Sequence, residues 1–278
     1  MIVEGSTLCL CCSRRPPITS QDELNEAMTP RFLVLAFLLA SATPGRAADP
    51  GELLAGRSKD CPGCLLTGAK LKRFDLSEAD LAGANLAGAV LHRAQLTGAN
   101  LSRANLTGAN LNKADLKHAN LAGARLGEAM LFEADLSEAD LTRADLAGAM
   151  MGSSRLTFAK LDAANIADAD LADAQMHGAK LKDADLSRSD LGQATLRRAE
   201  LQGAHLEAAS LLRADLRGAD LKGADLRNAD LMYADLTGAD LSGAALQGAR
   251  LLLAKLSDAK LDGAGLTGTI MPDGAPHQ

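Results

Sequence analysis

The 278-residue sequence has no tryptophan, one tyrosine and five phenylalanines, so aromatic residues make up only 2% of it. The length allows a sizeable core, but that core has to be aliphatic. Neither sign of charge dominates, since 29 Lys plus Arg stand against 35 Asp plus Glu for a formal charge of −6. That balance is neither the basic surface of a nucleic-acid binder nor a strongly acidic one. Long apolar runs are missing too. The longest, Phe32 to Ala40, has nine residues, too few for a bilayer span of about 20 residues. No stable membrane span is therefore expected. Of the five cysteines, only Cys61 and Cys64 lie in the part of the chain where a regular pattern begins.

What the sequence does have is an apolar residue at every fifth position from Leu66 to Met271, without insertion or deletion. Only Met151, Ile166, Met176 and Met271 in that series are not leucine. A second series runs two residues ahead, from Ala69 to Ala264, and is alanine except at Phe74, Ser154 and Ser189. A fixed period takes precedence over local secondary-structure preference. On a helix at about 100° per residue, a step of five advances roughly 140°, so the leucines form no buried stripe. On a straight strand an odd step throws successive leucines onto opposite faces. The chain must turn a corner within every repeat, which resets the alternation. Ala and Leu, two apart, then share the inner side of a short extended segment. The second residue after Leu is often glycine, as at Gly83, Gly98 and Gly238, where a turn uses its freedom.

The units Ala79-Asp80-Leu81-Ala82-Gly83, Ala99-Asn100-Leu101 and Ala239-Asp240-Leu241 resemble the A-(D/N)-L-x-x repeat of pentapeptide repeat proteins. The resemblance covers about three quarters of the chain. It implies an all-β solenoid, a right-handed quadrilateral β-helix with four repeats per coil. About ten coils at about 4.8 Å each would make a rod roughly 50 Å long. One lone repeat cannot be stable: burying a leucine yields roughly 1.5–3 kcal/mol, against roughly 1–2 kcal/mol of backbone entropy for each residue ordered. Stacked coils have to supply the rest.

Residues 1–27, with Cys9, Cys11 and Cys12, show no periodicity and are read as a disordered or mis-assigned leader. Residues 28–47 are read as a signal peptide starting at Met28, with Arg31, the apolar run and a small-residue cleavage site at Gly45 and Ala47. That reading places the mature protein in the periplasm or outside the cell. Residues 48–65 form an N-terminal cap, with a short helix started by Asp49 and Pro50. Residues 66–271 are the β-helix and 272–278 a short polar tail.

Within the cap, Cys61-Pro62-Gly63-Cys64 has three chemical readings and one structural one. A redox site needs a thioredoxin-like βαβ setting, zinc needs two more ligands, and haem attachment needs a histidine where Leu65 stands. Register favours a structural disulfide of an oxidising compartment. Cys61 falls on the Leu series and Cys64 on the Ala series, so both point inward.

Function has to lie on the outer surface. On the side built around Leu131, Met151, Leu211, Leu231 and Leu251, outward positions carry Met130, Phe132, Met150, Leu212, Met232, Tyr233, Leu252 and Leu253. This strip is the candidate interaction face, flat and strongest in the C-terminal coils, for a protein partner or a second copy. Asp215, Asp220, Asp225, Asp230, Asp235 and Asp240 wind around the rod and are read as a polar surface serving local backbone groups. His92, His118, His177 and His205 are scattered over several sides. No catalytic, metal or cofactor set emerges, so the chain reads as a non-enzymatic exported scaffold that mediates protein–protein interaction. The family resemblance carries one alternative, a cytoplasmic DNA mimic that binds gyrase. The balanced charge, leucine interior and export signal all depart from it. The last coil, with no helix to cover it, is a further place where two rods could meet.

Overall fold

Each five-residue rung makes one bend. In the computed structural model, which describes residues 49–278, the alanine N–H donates to the carbonyl of the leucine three residues earlier, as in Ala79 to Leu76 at 3.1 Å. Between them lie two turn residues, and the second has φ between +54° and +73° in every rung from Gly63 to Gly268. A positive φ at that place defines a type II turn, for which Pro62-Gly63 is the matching dipeptide. Where glycine is absent the position holds residues such as Arg188, Asp183 and Asn228, and never Val, Ile or Thr. Branching at Cβ would add to the clash that makes a left-handed conformation unfavourable for any side chain.

Four such bends close a coil. The residue just before each leucine pairs in parallel with its equivalent 20 residues on, from Leu65 with Asn85 to Arg250 with Ile270. The leucine N–H donates up the stack, as from Leu86 to Asn105 at 2.7 Å, and the left-handed residue does the same, as from Gly88 to Thr107 at 2.9 Å. The paired residue donates down the stack, as from Asn105 to Ala84 at 2.9 Å. The result is a four-sided β-helix.

Leucines and alanines fill the axis and are almost completely buried from Leu71 to Leu251. Of the three polar side chains buried with them, Ser189 donates its hydroxyl to Leu186 O at 2.7 Å and Thr269 to Leu246 O at 2.6 Å. Ser154, at an alanine position, has no partner for its hydroxyl.

The coil pattern starts one rung earlier than Leu66. Cys61 already donates to Asp80 O at 2.8 Å and occupies a leucine position. Cys61 and Cys64 are both buried, with Cα atoms 5.4 Å apart, a separation that suits a disulfide. Before them comes α1 (Pro50–Leu54), whose N-cap Asp49 accepts from Gly51 N at 2.8 Å. Its Leu53 is fully buried in the axial cluster. Phe74, expected to point inward, is only partly buried against that cluster, because the first coil leaves it open toward the cap.

At the other end the tail folds back on the stack. Ile270 pairs antiparallel with Pro276, and His277 N–H donates to Thr269 O at 2.8 Å. Only that side of the last coil is covered, and Leu256, Leu261 and Leu266 remain partly exposed. The leader and signal segment of the sequence reading lie outside the described residues. Among the described residues no helix is long and apolar enough to cross a membrane.

Candidate interaction surface

The fifth residue of a rung explains why the motif asks for Asp or Asn before leucine. Of the five N–H groups in a rung, the one on the first turn residue has no backbone partner in the stack. Asp or Asn two residues earlier accepts it. Asp80 takes Ala82 N at 3.2 Å, Asp140 takes Thr142 N at 3.0 Å, and Asp185 takes Ser187 N at 2.9 Å. The six successive aspartates from Asp215 to Asp240 all do this. They are also neutralised locally. Arg217 pairs with Asp215 at 2.7 Å, Arg227 with Asp225 at 2.5 Å, and Lys222 bridges Asp220 and Asp240 at 3.4 and 3.2 Å. The Ser242 hydroxyl and neighbouring cations hold the Asp240 carboxyl far below the usual carboxylate range, against a smaller opposing effect of burial. These are surface-satisfying groups. Among the described residues no cluster of His, Cys, Asp and Glu could hold a metal ion.

The apolar strip is differently placed from the sequence expectation. Met130 and Met150 stand on a sheet side, paired with each other one coil apart. Phe132, Leu212, Met232 and Leu252 take the first turn position, and Tyr233 and Leu253 the second, so they form the corner that follows that side. The flat face is thus a ridge with one flank, because the second and third residues of each rung belong to the turn. Phe132, Met150, Leu212, Tyr233 and Leu253 are between 38% and 54% exposed, while Met130, Met232 and Leu252 are half-buried. Elsewhere among the described residues the exposed large apolar side chains are Leu54, Leu65 and Phe158, so most of the exposed apolar bulk lies along one line.

That line is broken. Asp170, Ala172, Asp173, Asp190, Gly192 and Gln193 separate an N-terminal group (Met130, Phe132, Met150) from a C-terminal one. The C-terminal group is framed by arginines. The Arg213 guanidinium lies over the Tyr233 ring at 5.5 Å, and Arg250 reaches Met232 Sδ at 2.7 Å and Asp230 at 3.2 Å. An aromatic and several aliphatic side chains edged by arginine have the composition of a protein-contact centre. Phe158, on another side, stacks edge-on with His177 at 5.3 Å.

One hollow of about 330 Å³ lies beside the cap, lined by Gly56, Ser58, Lys59, Arg73, Phe74 and Asp75. Its polar centre is the 2.6 Å Lys59–Asp75 pair, and the Lys59 hydrogen bond, with help from Ser77, brings the Asp75 carboxyl down to about 2. Lys59 and Asp75 pair with each other there, and the lining includes no nucleophile set against a base.

The pentapeptide repeat model matches the chain in eight copies, over residues 60–98, 75–113, 109–148, 153–193, 194–232 and 234–271. Among solved structures, the chain is similar to HetL, a pentapeptide repeat protein involved in heterocyst differentiation regulation from the cyanobacterium Nostoc sp. strain PCC 7120. Identity is 35% over 81% of this chain and 97% of HetL, with a TM-score of 0.58. A pentapeptide repeat protein from the Arabidopsis thaliana thylakoid lumen is 38% identical over 33% of this chain and 61% of its own, with a TM-score of 0.27. Full-length QnrB1, a plasmid-mediated fluoroquinolone resistance protein, is 18% identical over 72% and 92%, with a TM-score of 0.38. No curated protein matches the chain. The unbroken five-residue register, the 20-residue coil and these matches give one conclusion: the chain belongs to the pentapeptide repeat family, whose fold is the right-handed quadrilateral β-helix.

Proposed function

We propose that this protein is an exported, non-enzymatic scaffold that binds a protein partner through the C-terminal part of its apolar ridge. The observation that carries this reading is the clustering of Leu212, Met232, Tyr233, Leu252 and Leu253 on one corner, framed by Arg213 and Arg250, among coils whose aspartates from Asp215 to Asp240 are held by their own turns and neighbouring cations. HetL, a family member of similar sequence, is involved in regulating differentiation, a role in keeping with contact rather than catalysis. Export is supported by the signal-like segment from Met28 and by the buried Cys61–Cys64 pair, which we read as a disulfide pinning the first coil. A DNA-mimicking role in the cytoplasm is disfavoured because the charges nearly balance over the chain and the run of aspartates from Asp215 to Asp240 is neutralised residue by residue by Lys and Arg.

The test replaces Leu212, Met232, Tyr233 and Leu252 together with serine and compares affinity capture from the exported fraction with that of the parent protein. Loss of a stoichiometric partner with unchanged melting supports the reading. Equal retention by the variant overturns it. Cell fractionation with mass spectrometry of the mature N-terminus tests export separately: a chain beginning after Ala47 is expected, and an intact Met1 or Met28 in the exported fraction contradicts it.

A further inference from the structure

The N-terminal half of the same ridge carries a charge sequence that the partner-binding reading does not use. Over the first three coils, the side and corner preceding Met130 present Lys70, Lys72, Arg73, His92, Arg93 and Lys113, without an acidic residue among them. Of these only Lys113 makes an ion pair among the described residues, with Glu133 at 3.1 Å. His92 sits amid Arg93, Lys72, Lys113 and Arg73, and partial burial together with those charges lowers its pKa. Next along the line come Met130, Phe132 and Met150, and then Asp170, Asp173 and Asp190. These three carboxylates are exposed and make no ion pair among the described residues. Asp170 and Asp190 serve only their local turn N–H groups, at 3.0 and 2.9 Å.

We propose that a second copy of this chain docks on this ridge, antiparallel, about a two-fold axis passing through the Phe132 coil. Such an axis, perpendicular to the stack and lying in the interface, reverses the coil order and keeps side against side and corner against corner. The coil three below Phe132 then faces the coil three above it, which sets Lys70 against Asp190 of the other copy. The coils two below and two above meet, which sets Arg93 against Asp173, corner to corner. The two Phe132 rings meet on the axis, flanked by Met130 and Met150. Each ion pair occurs twice. A parallel pairing would instead set each cluster against its own like, so the pattern selects one orientation as well as one occupant. The contact spans seven coils, about 34 Å at about 4.8 Å per coil. It therefore belongs with small interfaces of weak affinity, and its charge pairing makes it salt-sensitive. The inference shares its ridge with the proposed function, but it leaves the C-terminal group free and is tested without touching it.

The experiment is sedimentation velocity on the full chain, with two double variants, K70E/R93E and D173K/D190K. The parent protein is expected to dimerise in low salt, with the dissociation constant rising at least tenfold in about 0.5 M salt. Each variant alone should dissociate at least tenfold more readily, since every pair becomes like-charged. An equimolar mixture of the two variants restores all four ion pairs in a heterodimer, so it should recover the parent affinity to within about threefold. A parent protein that stays monomeric at about 100 µM in low salt overturns the proposal. So does a dimer indifferent to both variants, or a mixture no more associated than its components. Melting of each variant at the parent temperature shows that the reversals act on docking and not on the coil stack.

Discussion

The left-handed turn position is where a single side chain acts most directly on the stability of this fold. Ala163 and Ala208 hold φ of +55° and +56°, a conformation costing a non-glycine residue about 1–2 kcal/mol. Glycine there removes the strain but loosens the unfolded chain by about 0.4–1 kcal/mol. A net gain of about 0.5–1 kcal/mol is expected for either Ala→Gly change, visible as a higher urea midpoint, whereas Ala→Val should lower it. Ser154 stands at an alanine position on the axis. Its buried hydroxyl is unpartnered, so Ser154→Ala should stabilise by about 1–2 kcal/mol, whereas Ser189→Ala should not, because its hydroxyl is hydrogen-bonded. A lower urea midpoint for Ser154→Ala would refute the reading of that site. The sequence shows that Asp or Asn stands before leucine, but not that Asp145 accepts from Ala147 N and Asn165 Nδ2. The unpaired N–H it serves exists only once the turn has formed.

At the scale of the coil, stability passes between neighbours. Leu131 is completely buried, and its truncation to alanine should cost about 2–5 kcal/mol. Leu256, partly exposed on the last coil, should cost clearly less, and equal losses in denaturant titration would argue against an axial stack. The last coil has no further coil above Leu256, Leu261 and Leu266 to accept their N–H groups, so their amides should exchange with deuterium before those of Leu131 and Leu136. The N-terminal helix was legible because Asp49-Pro50 carries its own start signal. The C-terminal hairpin was not, since Pro272 to Gln278 has no alternation and its pairing depends on an edge present only after the coils have stacked. The Lys59–Asp75 link between cap and first coil has a defined pH dependence. The Asp75 pKa falls to about 2 in the folded chain, against about 3.9 when unfolded. Its contribution is therefore fully present above about pH 4 and is lost as pH falls toward 2. Carboxyl-detected NMR titration of Asp75 should show the depressed midpoint, and Lys59→Ala should return it toward the ordinary value.

For the molecule as a whole, the repeat register made the four-sided β-helix legible, because a five-residue period admits so few ways of burying leucine. The surface was less legible. Spacing alone separates inward from outward residues but not a side from a corner, so it presents the ridge as a flat face. The same register fixes which outward residues stack one coil apart, so the order of charge along the ridge becomes readable once the turns are located. In the proposed function one corner carries the partner contact, while the aspartates from Asp215 to Asp240 around it are satisfied by their own turns and cations. The most direct measurement is site-specific photocrosslinking in cells, with the reactive side chain at Tyr233 and, on the corner two rungs before it, at Lys222. A single discrete adduct from position 233 and none from 222 is the result expected. Adducts of equal yield from both positions, or from 222 alone, would contradict it.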